Sequence, residues 1–84
     1  MYWDVIEIQP QEDLTLWVRF TDSTSGHIKF TLSFLTGVFE PLKNQSFFAK
    51  AYLEDGVVTW PGEIDLAPDA MYHEIKKNGQ WILS

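Results

Sequence analysis

Hydrophobic and polar residues alternate along two neighbouring stretches of the chain, and this alternation predicts an antiparallel hairpin. Every second residue of 14–20 (LTLWVRF) is apolar, and Trp17 falls on the opposite, polar side. Residues 27–32 alternate in the same way, with Leu32 as the last inward position. Because the side chains of a strand point alternately to opposite faces, each stretch presents one apolar face to a core. The polar cluster 22–26 (DSTSG) joins the two strands as a turn.

A second hairpin and a first strand are predicted on similar grounds. Residues 51–54 and 57–60 flank Asp55-Gly56, a dipeptide that favours a tight two-residue turn. Near the beginning of the chain, residues 3–8 are rich in β-branched side chains and form a further strand, which Pro10 is expected to end. The chain therefore contributes four or five strands, most of them antiparallel.

Between the hairpins the alternation is lost, and short helical turns are predicted there. They lie near residues 34–35, 39–42 and 46–49, because Gly37 and Pro41 prevent a longer helix. The aromatic side chains of these turns are expected to cover one face of the sheet.

A C-terminal helix is predicted to begin at Pro68. Proline is favoured in the first turn, Asp69 suits the positive end of the helix dipole, and basic residues precede the stop at Gly79. Because a helix of about ten residues is marginal alone, it must pack on the sheet. Residues 80–84 form either a tail or a segment that docks through its tryptophan and isoleucine, and both alternatives stay open.

These elements predict one small α+β domain over residues 1–84. It combines a small, mostly antiparallel sheet of two hairpins with short helical turns and one C-terminal helix. The chain has four Trp, six Phe and three Tyr, more rings than so small a core easily hides. One or two of them are therefore expected at the surface, where large apolar groups mark contact patches.

The charge of the chain limits its partners. The net charge is −6, and the six basic residues are scattered along the sequence. Proteins that bind nucleic acids neutralise phosphates with clustered basic residues, so direct nucleic-acid binding is not expected. Another small protein of neutral or basic character, or self-association as a homodimer, fits the charge better.

The compartment follows from what the sequence lacks. There is no cysteine, which favours a reducing environment for so small a domain. The N-terminal residues do not form a signal peptide, and no apolar run approaches the roughly 20 residues of a membrane helix. We therefore expect a cytoplasmic protein without a membrane partner.

No catalytic residue, metal site or cofactor is predicted from the residue types present. His27 and His73 are the only strong nitrogen ligands, fewer than the three or four that zinc sites use. None of the serines lies in a Gly-x-Ser-x-Gly motif. Both histidines are interpreted as ordinary surface or half-buried side chains.

Three carboxylates near the predicted helix allow two interpretations. Glu63 and Asp65 could act as a general acid–base pair if one were buried and its pKa raised. Asp65 and Asp69 are instead expected to cap the helix and to offset its positive N-terminal end. We favour capping, because it explains acidic residues at these positions without requiring a catalytic site.

Three aromatic residues are the candidates for contact with a protein partner, because Trp and Tyr are enriched at interface hot spots. Trp17, on the polar side of its strand, is either covered by the helical turns or exposed as a patch. Trp60, at a strand end, is either a lid on the core or a contact anchor. Tyr72 flanks the apolar side of the predicted helix.

The order of motifs carries a family resemblance over nearly the whole chain. It extends from “LTLWVRFTDSTSGHIKFTLSFL” to “GVFEPLKNQSFFAKAYLEDGVVTWPGEIDLAPDAMY”. The most specific part is Trp-Pro-x-x-Ile-Asp-Leu before a helix that begins with proline. This order resembles the family catalogued as domain of unknown function 2442 (DUF2442), in its single-domain form. Two features depart from it: Ala67 stands where members often have a capping Ser, and the first hairpin turn is longer.

The resemblance implies a small α+β fold in a bacterial, cytoplasmic protein, and it supplies no catalytic residues. It further implies one half of a small two-gene operon, in a toxin–antitoxin-like or regulatory pair. We therefore expect a non-enzymatic protein-interaction module. A small carboxylate-based hydrolase or ligand-binding enzyme that uses Glu63 and Asp65 stays open as an alternative. A nucleic-acid-linked regulator is a second alternative.

Overall fold

Two β-sheets share one core in the computed structural model, which describes residues 1–84. The larger sheet is built from β1 (Val5–Gln11), β2 (Thr15–Phe20), β3 (Ser25–Phe30) and β7 (Gln80–Leu83), in that order across the sheet. Only the pairing of β3 with β7 is parallel. The smaller, antiparallel sheet is built from β4 (Tyr52–Glu54), β5 (Val57–Trp60) and β6 (Ile64–Asp65), also in that order.

Three helical segments complete the fold: a 3-10 helix (Gly37–Lys43), α1 (Gln45–Phe48) and α2 (Pro68–Asn78). The side chain of Asn44 caps α1 by accepting the backbone N–H of Phe47 at 3.1 Å. The predicted α+β class, with short helical turns and one C-terminal helix, is confirmed. Every helix is too short or too polar to cross a membrane.

Both predicted hairpins form, but they lie in different sheets. In the turn of the second hairpin, Asp55 and Gly56 have φ of 52° and 81°, the positive values that a type I′ turn requires. The backbone N–H of Val5 donates to the carbonyl of Gly56 at 2.9 Å. This bond sets the turn of the second hairpin beside β1, while its two strands form a separate sheet with β6.

The first strand is longer than predicted, because Pro10 lies inside β1 and does not end it. Pro10 pairs in register with Leu16 on β2. β1 is an edge strand, with a partner on one side only. Proline is tolerated there because an edge strand makes ladder hydrogen bonds on one side only, so its missing N–H need not interrupt the pairing.

Leu32 does not face the core, so that prediction is wrong. β3 ends at Phe30, and the backbone N–H of Phe34 donates to the carbonyl of Thr31, which turns the chain out of the sheet. The side chain of Leu32 is 62% exposed, and Leu35 is fully buried in its place. The alternation of residues 27–32 continues past the point where the strand stops.

Gly26 lies within β3, where it pairs with Val18, and does not end the turn as predicted. A Cβ atom at Gly26 would lie 2.5 Å from the carbonyl oxygen of Gly79 and 2.7 Å from a methyl group of Ile75. The C-terminal end of α2 therefore rests directly on the backbone of β3. Only glycine permits this distance, since real Cβ atoms do not approach other heavy atoms so closely.

This close approach explains the course of the last residues, which the sequence left open. Gly79 ends α2 in the left-handed conformation, with φ of 77°, next to Gly26 of β3. The chain leaving Gly79 is therefore already beside β3, and residues 80–83 pair with it in parallel. The C-terminal segment is a strand of the larger sheet.

The core comprises 17 buried hydrophobic residues, and both sheets and α2 contribute to it. Its largest member is Trp60, which packs near the rings of Phe30 and Phe48. We call the side of the larger sheet that faces this core the inner face. Its fully buried side chains on the strands of the larger sheet are Leu16, Val18, Phe20 and Ile28.

Replacing Gly26 by alanine tests the contact between α2 and β3. The added methyl group would overlap the backbone of Gly79, so α2 must move outward, and we expect a loss of about 1–3 kcal/mol in the free energy of unfolding. Denaturant unfolding at neutral pH measures it. Ser25→Ala, at the exposed neighbouring position, is the control and should change little. A Gly26→Ala protein as stable as the control would contradict the packing described.

Candidate functional site

The side of the larger sheet that faces away from the core has no helix or sheet over it; we call it the outer face. α2 packs on the inner face, through Gly26 of β3 and its own buried residues Met71 and Ile75. The smaller sheet and α1 share the same core. The strand registers place these side chains on the outer face: Glu7, Gln9, Gln11, Thr15, Trp17, Arg19, Ser25, His27, Lys29, Gln80 and Ile82.

Trp17 stands at the centre of the outer face. It lies opposite Gln9 on β1 and His27 on β3, and Gln80 on β7 continues the same row. Side chains directly opposite each other on neighbouring strands have Cβ atoms about 5 Å apart, so this row is continuous. Trp17 is half-buried by such neighbours, yet it does not pack against the core. Of the two arrangements left open for Trp17, the helical turns do not cover it, and the neighbouring side chains of the sheet leave it partly exposed.

The charges of the outer face differ from those of the whole chain. Glu7 accepts two hydrogen bonds from Arg19, at 3.0 and 2.8 Å from Nε and an Nη atom. Their charges offset one another, and Lys29 and His27 are the other ionisable groups of the face. The face therefore carries no acidic excess, although the chain has a net charge of −6.

Trp60 lies in the core and not at a surface, which corrects its candidacy as a contact residue. Its side chain has no exposed area, and its indole N–H donates to the carbonyl of Phe48 at 2.8 Å. A buried indole requires such a partner for its N–H. The bond fixes the end of β5 against the end of α1, so Trp60 is the lid on the core.

Tyr72 is also buried, at 7% exposure, and it connects two elements. Its hydroxyl donates a short hydrogen bond to Asp22, in the turn between β2 and β3, and its ring packs edge-on against Phe20. Asp22 also accepts the backbone N–H of Thr24 at 2.9 Å, and Lys76 Nζ lies 4.0 Å away. Tyr72 thus ties α2 to the first hairpin and offers little surface to a partner.

This network sets the protonation of both groups. The Tyr72 hydroxyl, with help from Thr24 and the charge of Lys76, lowers the pKa of Asp22 from 3.8 to about 2. The same hydrogen bond, with burial, raises the pKa of Tyr72 above its ordinary value of 10.0. Each shift favours the ionised carboxylate beside the neutral phenol, the pair that holds α2 to the turn.

The carboxylates near α2 do not cap it by hydrogen bonding. The N-cap position is Ala67, and no side chain bonds to the first turn. Asp65 is exposed on β6, paired in register with Thr59, so it lies too early in the chain to reach that turn. Asp69 does lie in the first turn, where its charge suits the helix dipole. The hydrogen-bonding part of the capping prediction is therefore wrong.

Glu63 and Asp65 do not form a concave site with Trp60. Both carboxylates are exposed, and Glu63 lies in the β5–β6 turn with a positive φ of 64°. The three surface cavities lie elsewhere: beside Leu14 and Lys43, between α2 and β7, and beside Phe47 and Lys50. No group of three or more His, Cys, Asp or Glu side chains lies close enough to hold a metal ion.

Sequence reasoning found Trp17 but missed the rest of the outer face. The row through Gln9, His27 and Gln80 depends on the registers of four strands, and one of these is the segment whose docking the sequence left open. The alternation of residues 80–83, with Ile82 outward and Leu83 inward, is the signal that could have identified it. Nothing in the sequence singled out Tyr2 and Tyr52 as contact residues, although both are exposed.

The comparisons with known proteins agree with the sequence motifs. A family model described as “Protein of unknown function (DUF2442)” matches residues 5–77 of this 84-residue chain. No curated protein and no solved structure is matched. The match covers every element up to the last turn of α2, and only β7 lies wholly beyond it.

The Asp22–Tyr72 pair predicts how stability depends on pH. Because the pKa of Asp22 is lowered by folding, its contribution is complete above about pH 4 and is lost as the pH falls toward about 2. Because the pKa of Tyr72 is raised, its contribution is present below about pH 10 and is lost at higher pH.

Thermal unfolding between pH 2 and pH 7 checks this prediction. Tyr72→Phe removes the donor hydroxyl, so the decline in unfolding temperature between about pH 4 and pH 2 should be smaller than in the original protein. Asp65→Asn, which removes an exposed carboxylate, should leave the pH profile unchanged. Identical profiles for the original protein and Tyr72→Phe would show that the pair does not stabilise the fold.

Proposed function

The chain belongs to the DUF2442 family, and we propose that it is a non-enzymatic protein-interaction module that binds its partner through the outer face. The observation that carries this proposal is the position of Trp17, half-buried at the centre of a sheet face that no other element covers. Tryptophan is costly to leave at a surface and is the residue most enriched at binding hot spots.

The surroundings of Trp17 support a protein partner. Gln9, His27 and Gln80 extend from it across the four strands, and such uncharged groups can donate and accept hydrogen bonds around an aromatic anchor. An apolar centre with a polar rim is the usual anatomy of a protein interface. The residues of the row lie on paired strands, so their backbone is ordered before binding and the entropic cost of binding is reduced.

The charges of the outer face indicate what charge the partner should carry at the contact. The net charge of the whole chain favours a basic or neutral partner at long range. At the contact itself, Glu7 is paired with Arg19, and Lys29 adds a positive charge. A partner that is uncharged or basic overall, with a neutral or weakly acidic patch at the contact, suits both the long-range charge and the charge of the outer face.

The finer proposal is that the partner is a second small protein encoded beside this chain in a bacterial operon, as a toxin–antitoxin-like or regulatory pair. Its support is the family resemblance. The lack of cysteine supports a cytoplasmic setting.

The alternatives have less support. A carboxylate-based hydrolase that uses Glu63 and Asp65 needs one of them buried in a concave site, and both are exposed outside the surface cavities. A nucleic-acid-linked regulator that contacts phosphates needs a basic cluster. The outer face offers only Arg19, which is paired with Glu7, and Lys29.

Replacing Trp17 by alanine tests the proposal. Co-expression with the product of the adjacent gene, followed by co-purification and light scattering, measures the complex. Loss of a hot-spot tryptophan should weaken binding by about 30-fold or more. Because Trp17 does not pack against the core, the protein should still fold, and the loss of its contacts with Gln9 and His27 should lower the unfolding temperature by only about 4–8 °C or less.

Val38→Ala is the matched control, since Val38 is an exposed apolar residue on the 3-10 helix, away from the outer face. It should alter neither binding nor stability. A Trp17→Ala protein that binds as tightly as the control would contradict the proposed surface. A chain that forms no complex with the neighbouring product or with itself at about micromolar concentration would contradict the proposed function.

A further inference from the structure

The fold has four edge strands, and they differ in their protection against pairing with another chain. β1, β4 and β6 each carry a carboxylate, at Glu7, Glu54 and Asp65. β1 also contains Pro10 and an irregular register between Val5 and Glu7. Charges, prolines and bulges are the features by which natural sheets prevent edge-to-edge association.

β7 has none of these features. Its sequence, QWIL, is uncharged and contains no proline, and its pairing with β3 is regular over all four residues. It has a neighbour on one side only. Ile82, on the outer face, is 54% exposed, so an apolar side chain is available at this edge. The free side of β7 is therefore an open edge.

A groove runs beside this open edge. It has a volume of about 450 Å³ and lies between α2 and β7, with Glu74 and Asn78 on the helix and Gln80, Trp81 and Ile82 on the strand. The ring of Trp81 is half-buried there. A further strand beside β7 would place its inward side chains in this groove, against Trp81.

We propose that β7 pairs with β7 of a second copy of this chain, antiparallel and about a twofold axis, which joins two four-stranded sheets into one of eight strands. Pairing of like edges satisfies the free backbone groups of both copies in one contact. This interface is separate from the proposed function, since it uses the edge of the larger sheet and not the row around Trp17.

The twofold axis restricts the register. An axis perpendicular to the sheet keeps the inner faces of both copies on the same side, so a residue can oppose only residues of its own face. With Ile82 on the axis, Ile82 opposes the partner's Ile82 on the outer face. On the inner face Trp81 then opposes the partner's Leu83. The two Ile82 side chains meet on the outer face. On the inner face Leu83 is 8% exposed and packed in its own core, so Trp81 supplies the apolar surface of the contact there.

The same arrangement predicts an electrostatic repulsion between the two copies. α2 lies on the inner side of the sheet next to β7, so the two copies of the helix would flank the axis on one side. Glu74 lines the groove and would then face the partner's Glu74. Two carboxylates facing each other oppose association, and the effect is reduced by salt or by removal of the charge.

The contact is small, so a concentration-dependent dimer is expected. β7 contributes four residues from each copy, far fewer than the roughly 20–30 residues per partner of a standard interface. We therefore expect a monomer at about 10 µM and a growing dimer fraction toward about 1 mM.

Sedimentation velocity of the full chain over this range tests the proposal, with circular dichroism to verify folding. Ile82→Lys places a charge on the axis and should abolish the dimer. Ile82→Thr keeps a β-branched residue and should weaken it, which provides a second measurement if the lysine variant is unstable. Glu74→Gln should strengthen association several-fold. Val38→Lys adds a charge elsewhere on the surface and should have no effect.

The outcomes separate this inference from the proposed function. Trp17→Ala should leave self-association unchanged, and Glu74→Gln, on α2 and away from the outer face, should leave binding of the neighbouring gene product unchanged. A monomer throughout the range, or a dimer that persists in both Ile82 variants, would overturn the β7 interface without affecting the role of Trp17. If Trp17→Ala abolishes self-association and the Ile82 variants do not, the dimer forms through the outer face and not through β7.

Discussion

The contact between the C-terminal end of α2 and the backbone of β3 at Gly26 is the constraint on which the rest of the fold depends. With no side chain at Gly26, the carbonyl of Gly79 and the side chain of Ile75 rest directly on the strand. This distance places α2 on the inner face and brings the chain that follows it beside β3. The hydrogen bond from Tyr72 to Asp22 holds the same helix to the turn of the first hairpin. Helix, hairpin and last strand are thereby fixed relative to one another.

The other side of the core is closed by the smaller sheet, and Trp60 is the residue that joins it to the helical segments. Its ring fills the space beside Phe30 and Phe48, and its buried N–H donates to the carbonyl of Phe48, which also accepts the backbone N–H of Ala51. The 17 buried hydrophobic residues form one cluster on this side of the larger sheet. The opposite side is not covered by another element of the fold.

The functional proposals follow from the small number of elements in this domain. A four-stranded sheet with helices on one face only must present the other face to solvent, and here that face has Trp17 at its centre. The same topology places β7 at an edge, since nothing follows it in the sheet. Ile82 lies on both surfaces, because its side chain belongs to the outer face and its backbone to the open edge. The two surfaces are adjacent, but different residues determine each of them.

The sequence by itself determined the local structure. The alternation of residues 14–20, the Asp55-Gly56 turn and the helix between Pro68 and Gly79 were each predicted from neighbouring residues, because period, turn geometry and helix ends depend on a few adjacent side chains. The tertiary structure decided whatever depends on elements distant in the chain. It placed Gly26 under α2, Trp60 in the core and residues 80–83 at the edge of the sheet. It also decided the surroundings of Trp17: the alternation places Trp17 opposite Leu16, and only the positions of the helices and of the smaller sheet leave that side of the larger sheet without a covering element.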